Sequence, residues 1–198
     1  MGVQVILASK SAARRAVLTS AGVPFEAVVA GVDEDAVKAS MLAGGASPRD
    51  VADALAEIKA VKVSASRPGL VIGSDQTLEF EGRLYDKAET LDAARERLKT
   101  IRGKPHRLYS AVVAARDGAP IWREVVSATL TMRDFSDDFL EDYLAAEGEQ
   151  ALGSVGCYRL EGPGAQLFSS IEGDYFTILG LPLMGLLDLF RRHGVLKA

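Results

Sequence analysis

Val3-Gln4-Val5-Ile6-Leu7-Ala8 is a short, largely apolar run that passes directly into Ser9-Lys10-Ser11-Ala12-Ala13-Arg14-Arg15. The first segment reads as a buried strand and the second as the opening of a helix. A strand feeding a helix start leaves free N–H groups and a positive dipole end where the two meet, which is a ready anion site. Ser9 and Ser11 add hydroxyl donors there. Lys10, Arg14 and Arg15 add positive charge. Ser11 precedes Arg14 and Arg15 by three and four positions, so one helical face can carry all three side chains. The segment then reads as a polyphosphate cradle. The plainer reading is a surface helix capped by a serine, with solvated arginines, and the segment alone does not separate the two.

The rest of the chain alternates strand and helix patterns, which points to an α/β or mixed-sheet fold. After a first helix (12–21), Gly22 and Pro24 mark a break, and a strand follows over 25–29. Residues 31–35 form an acidic loop. Ser47-Pro48-Arg49-Asp50 is a strong helix start, with the helix running to about Ser64. A short buried strand over 70–73 ends at Ser74-Asp75-Gln76, and 77–84 reads as a small hairpin around Glu81-Gly82. Thr90 caps a helix to about Ile101, which Gly103 ends. A long hairpin joins 107–115 to 121–132 through Asp117-Gly118. Ser136 caps a helix over 137–146. Residues 147–164 hold five glycines and read as a loop-rich segment near a ligand. Pro182 starts a last helix, closed by Gly194.

At 198 residues the chain is one domain, or two small lobes around a cleft. Its 48% apolar and 25% charged residues are ordinary for a soluble protein with a sizeable core. A net charge of −4 argues against a nucleic-acid coat or a binder of anionic membranes. The single cysteine, Cys157, excludes an internal disulfide and suits a reducing cytoplasm. It reads as a buried, inert thiol. The N-terminal apolar stretch is too short for a signal peptide, and no segment approaches a membrane span.

Several residues carry potential chemistry. Asp75 follows a sharply defined strand, where α/β sheets gather ligands, and could hold a metal or take a proton from water. The alternative is a turn aspartate bonded to its own backbone. Lys87, after the small hairpin, is a point charge for phosphate or an exposed lysine. Glu34 belongs to a solvated acidic turn unless it faces Asp75, in which case the two carboxylates could coordinate Mg²⁺ or Mn²⁺. Lys59 adjoins the apolar stripe of Val51, Leu55 and Ile58, either snorkelling or contacting phosphate. Glu161 could reach a base edge or pair with Arg159. Cations, carboxylates and a metal-capable cleft suggest hydrolysis or transfer at a phosphate ester. A Walker A loop, a Rossmann fingerprint, zinc spacings and kinase motifs are absent.

These pieces, in order, resemble the Maf family of nucleoside triphosphate pyrophosphatases, once called septum-formation inhibitors. They are Ile6-Leu-Ala-Ser9-x-Ser11-x-x-Arg14-Arg15, Gly31-Val-Asp-Glu34, Leu55-Ala-x-x-Lys59-Ala60, Ile72-Gly-Ser-Asp75-Gln76, Gly82-x-Leu-x-x-Lys87, Gly103-Lys-Pro-His106, Gly156-x-Tyr-x-x-Glu161-Gly162, and Ile171-Glu-Gly173 through Gly180-Leu-Pro-Leu183. The resemblance covers nearly the whole chain. It implies a single domain over 1–198, built as a mixed twisted α/β sheet with flanking helices and two lobes about a central cleft. It also implies a divalent metal (Mg, Mn or Co), often a homodimer, and cleavage of a nucleotide between its α and β phosphates. Asp75 resembles the catalytic aspartate. Ser9, Arg14, Arg15, Lys59 and Lys87 fall on the phosphate cluster, with Glu34 and Asp75 on the metal. Ala13, Gln76 and Glu161 fall on the base-selecting set. Gln76, Glu161 and Arg14-Arg15 resemble the 7-methylguanosine triphosphate branch more than the thymidine/uridine branch. Ala13 stands where the former tends to carry tryptophan, and Ala88 where proline usually follows the lysine. Two other functions stay open: a nucleotide-sensing regulator of septum formation without turnover, and a pyrophosphatase for inosine or xanthosine triphosphate.

Overall fold

The computed structural model describes residues 3–197, so residues 1, 2 and 198 of the expected 1–198 domain lie outside the described part. β1 (Val5–Ala8) is buried throughout, as a short run of Val, Ile and Leu is when helices cover both faces of a parallel sheet. It pairs in parallel with β2 (Glu26–Ala27) and with β3 (Leu70–Phe80), in register from Val5↔Leu70 to Ala8↔Gly73. Between β1 and β2 lies α1 (Ala12–Ser20). Its N-cap Ser11 accepts a hydrogen bond from the Arg14 backbone N–H.

The acidic loop expected over 31–35 is instead a helix start. α2 (Glu34–Ala43) is capped by Asp33, whose carboxylate accepts from the Ala36 N–H at 3.1 Å. Acidic residues at a cap and first turn satisfy orphan N–H groups and complement the helix dipole. The helix buries no residue, so it carries no apolar stripe to be read in the sequence. α3 (Pro48–Ser64) follows with the expected capping box, Ser47 and Asp50 bonding each other's backbone N–H.

The strand expected to end at Gly73 continues to Phe80, so Asp75 is a mid-strand residue and not a strand-end one. The parallel partner β1 stops opposite Gly73. Asp75 therefore sits just past the end of that parallel pairing. β4 (Arg83–Tyr85) returns antiparallel on Leu78–Phe80 through Glu81-Gly82, both at positive φ, as a two-residue I′ turn requires.

α4 (Leu91–Ile101), capped by Thr90, leads to β5 (Pro105–Arg116), β6 (Ala119–Met132) and α5 (Asp137–Glu147). The glycine-rich segment holds two 3-10 turns, at Gly148–Gly153 and Pro163–Leu167, around an irregular stretch. β7 (Phe168–Glu172), α6 (Tyr175–Ile178) and α7 (Leu183–Arg192) complete the chain. The seven strands make one mixed sheet in the order β2-β1-β3-β5-β6-β7, with β4 paired to β3.

The chain divides into two compact units. The first comprises Met1–Gln76, Tyr109–Val126 and Tyr175–Ala198. One face of its sheet buries Val5, Leu7, Leu70 and Ile72 with Val17, Leu18 and the Leu186–Phe190 stripe of α7. Against the other face, Ala52, Ala56 and Ala60 of α3 pack on Ala111, Val113 and Ala115. These small side chains let the helix lie close to the strands. The second unit comprises Thr77–Leu108 and Ser127–Asp174. It buries Leu98, Ile101, Leu140 and Leu144, and stacks Tyr158 edge-on against Phe168 with centroids 4.8 Å apart. Among the described residues no helix is long and apolar enough to cross a membrane.

Candidate functional site

The approach of α3 to β3 creates the centre of the site. A Cβ on Gly73 would stand 2.1 Å from the Ala56 carbonyl oxygen and 2.6 Å from the Ala60 nitrogen, so only glycine admits the helix there. Lys59 thereby comes against Asp75, two residues beyond Gly73. Its Nζ donates to Asp75 Oδ1 at 2.7 Å and lies 2.9 Å from Glu34 Oε1. Lys59 and Asp75 are each only 6% exposed. A buried ammonium and a buried carboxylate are tolerated together because their mutual attraction offsets part of the cost of taking each out of water. Burial alone would raise the Glu34 carboxyl, but the Lys59 hydrogen bond and charge, with Lys38 and Lys10, hold it below its ordinary value.

Arg14 is the second buried cation. Its Nε donates to the Gly180 carbonyl at 2.8 Å, and its Nη1 to the Ser74 carbonyl at 2.8 Å and to Ser9 Oγ at 3.3 Å. Burial lowers its pKa from the ordinary arginine value, while Asp75 and Glu34 oppose that shift. The Ser74 hydroxyl donates to the same Gly180 carbonyl at 2.9 Å. Gly180 sits at φ +89°, with Arg14 Nε 3.3 Å and Gln76 Cδ 3.7 Å from the place of a Cβ. A side chain there would be strained in backbone and pressed on both residues.

Gln76 is half-buried, and its Nε2 is surrounded by acceptors: Ser110 Oγ at 2.9 Å and the Thr177 and Ile178 carbonyls at 3.0 Å each. Ser110 Oγ in turn donates to the Thr177 carbonyl at 2.7 Å. Three acceptors around one end of the amide fix its orientation. The Oε1 end is thereby turned away as an acceptor.

The structure thus gathers Ser9, Arg14, Glu34, Lys59, Asp75 and Gln76 in the first unit. Arg15 faces outward and is exposed, because successive helical positions differ by about 100°. Ala13 is half-buried on α1. Lys87 and Glu161 are exposed residues of the second unit. Arg159 forks onto Glu147, at 2.7 and 3.2 Å, so its bidentate partner is not Glu161. Burial pushes the Cys157 thiol up in pKa, as its inert reading expects. Ser74, Ser110 and Gly180 hold the site together, yet none carries a charge or a spacing that singles it out in sequence. Only the Gly180-Leu-Pro-Leu183 motif pointed to that turn.

Glu34 and Asp75 are hard oxygen donors converging on one cationic position. Among the described residues no group of three or more His, Cys, Asp or Glu side chains could hold a metal. Two carboxylates suit a cation whose remaining ligands are water and phosphate oxygens, the common Mg²⁺ arrangement. The residues therefore fit such an ion when phosphate accompanies it.

The profile of the Maf-like protein family matches residues 4–193. A protein of Caulobacter vibrioides named nucleoside triphosphate pyrophosphatase is 65% identical over 192 residues, covering 97% of this chain and 96% of that one. A protein of the same name from Granulibacter bethesdensis is 55% identical, covering 98% of each chain. A 7-methyl-GTP pyrophosphatase of Brucella abortus is 51% identical, again covering 98% of each. With that match across nearly its whole length, the chain belongs to the Maf family.

Proposed function

We propose that this protein is a nucleoside triphosphate pyrophosphatase. The observation that carries the reading is the buried Lys59 ammonium held between Asp75 and Glu34, beside buried Arg14. The two cations match phosphate oxygens, and the two carboxylates match a divalent ion that would accompany a triphosphate. In the reaction, water bonds to the α-phosphorus, the bond from that phosphorus to the bridging oxygen breaks, and nucleoside monophosphate and pyrophosphate leave. Asp75 orients the water and takes its proton. Lys59 holds the Glu34 carboxyl below its ordinary value and keeps the two carboxylates close. Arg14, Lys59 and Lys87, with Ser9, meet the negative charge of the phosphates, where fixed cations supply most of the rate. Arg15, exposed at the helix surface, adds long-range attraction. A divalent ion seated on Glu34 and Asp75 would supply Lewis-acid charge to the triphosphate oxygens.

For the base we favour a guanine type, in line with the Brucella relative's name. Gln76 offers its Oε1 and Glu161 its carboxylate, both acceptors, and the guanine edge offers N1–H and amino donors. Ala13 leaves the base without an aromatic neighbour at that position. The family resemblance and the lone, buried thiol lead us to place the enzyme in the cytoplasm, as a homodimer.

The test is pyrophosphate release with Mg²⁺, Mn²⁺ or Co²⁺ across the common nucleoside triphosphates, inosine triphosphate and 7-methylguanosine triphosphate. The wild-type protein is expected to yield monophosphate plus pyrophosphate. Asp75→Asn is expected to lose about a hundredfold or more. Full activity in Asp75→Asn would refute the assignment, and nucleotide binding without turnover would favour a sensor.

A further inference from the structure

Residues 86–90 of the second unit lie outside helix and strand and include no proline, so their conformation depends on what side chains hold them. Arg97, half-buried on α4, does this. Its Nη1 donates to the Asp86 carbonyl, immediately before Lys87, and to the Val155 carbonyl at 2.8 Å. Its guanidinium lies over the Tyr85 ring, 4.9 Å from the centroid. On the other side of Lys87, Ala88 is buried.

The partner segment is itself tightly fixed. Cys157 is held at φ +60°, an uncommon conformation for a residue with a Cβ, which persists only where surroundings enforce it. Tyr143 donates its hydroxyl to the Cys157 carbonyl at 3.0 Å, and Ser154 Oγ accepts from the Tyr158 N–H and donates to the Tyr158 carbonyl. His106 Nε2 meets the Tyr158 hydroxyl at 2.7 Å. Residues 154–158 therefore form a rigid anchor, which leads on to Glu161.

We propose that Arg97 is a positioning residue: by spanning the Asp86 and Val155 carbonyls it ties the segment of Lys87 to the anchor that precedes Glu161, so that both are presented in one fixed arrangement. This rests on the reading of Lys87 as a phosphate contact. A guanidinium suits the task because the two hydrogens of one Nη1 reach two carbonyls while its plane stacks on Tyr85.

The test combines hydrogen exchange with kinetics on Arg97→Met, Arg97→Lys and wild type. In Arg97→Met, amides of 86–89 and 154–158 are expected to exchange about tenfold faster, with those of β1 and α3 unchanged. Its kcat/KM is expected to fall about tenfold, the scale of one or two lost charge-assisted hydrogen bonds, with partial recovery in Arg97→Lys. In a Lys87→Ala background the same substitution is expected to cost less than twofold, because its effect passes through Lys87. Unchanged exchange in both segments overturns the proposal, and so does an undiminished tenfold loss in the Lys87→Ala background. If wild type hydrolyses no nucleotide, the pyrophosphatase reading fails and the exchange result alone decides whether Arg97 holds the two segments together.

Discussion

Lys59 stands between the buried Asp75 carboxylate and the half-buried Glu34 carboxylate, which would otherwise face each other. Replacing it by methionine keeps the length of the side chain and removes its charge. Breaking a buried pair from one side costs about 3–5 kcal/mol, because the remaining charge is left desolvated. Lys59→Met is therefore expected to lower stability by about that amount at pH 7, read as a shifted urea midpoint. The loss has a pH signature. In wild type Glu34 titrates below its ordinary value of 4.5, so its contribution is complete above that pH and is lost as pH falls through the folded-state value. In the variant burial acts on Glu34 without its counter-charge. The gap between the two proteins should then begin to shrink above about pH 4.5, as the variant's Glu34 takes its proton, and go on shrinking below it, and a constant gap would show that Lys59 acts by packing alone. At this scale the charged residues were legible, since Asp75, Glu34 and Lys59 announce themselves by type and flanking pattern. Their mutual pairing was not, because 16 positions separate Lys59 from Asp75. Arg14 and Arg15 were equivalent in sequence and opposite in the structure, one buried and one exposed.

Elements were legible where a cap and an apolar stripe coincided. Ser11, Ser47, Thr90 and Ser136 all accept from the backbone N–H three residues on, and each marks the helix start the sequence suggests. Elements without a buried stripe leave no pattern in the sequence: α2 buries nothing, and four of the five residues of β7 are exposed. The sequence pattern ends β3 too early because Gly73-Ser74 interrupts the apolar run without interrupting the strand. Gly73 is there for α3. Gly73→Ala would drive a methyl into the Ala56 carbonyl, and neither backbone can yield without moving Lys59. The expected loss exceeds about 4 kcal/mol, the range of core overpacking at its most severe. Gly153→Ala, where a Cβ meets nothing within 4 Å, should stay within about 0.5 kcal/mol. Comparable midpoints for the two variants would mean that the helix can retreat from the strand at little cost.

Across the whole molecule the division into two units was invisible in composition because three of its four boundaries fall inside strands. The chain changes unit at Gln76/Thr77 within β3, Leu108/Tyr109 within β5 and Val126/Ser127 within β6. No linker marks these points, and a strand's apolar pattern runs through them unchanged. Such continuity couples the units covalently at several places, which favours a single cooperative unfolding transition. A buried group in one unit then reports on global stability. His106 is 3% exposed, its Nδ1 has no hydrogen-bond partner among the described residues, and burial lowers its pKa to about 4. The unfolded chain binds a proton near pH 6.5 that the folded chain refuses until about pH 4. Stability is therefore unaffected by this group above pH 6.5 and declines as pH falls from there, by about 1.4 kcal/mol per unit. The lowered carboxyls Glu34, Asp50, Asp137 and Glu141 have ordinary values of 4.5 or 3.8, so their losses come mostly at lower pH. Urea midpoints of wild type and His106→Gln between pH 7 and pH 4.5 separate the two effects. Wild type is expected to lose stability steadily once below about pH 6.5 while the variant, less stable at pH 7, stays nearly level and the curves converge. Curves that run parallel would mean that His106 gains a proton partner in the folded chain.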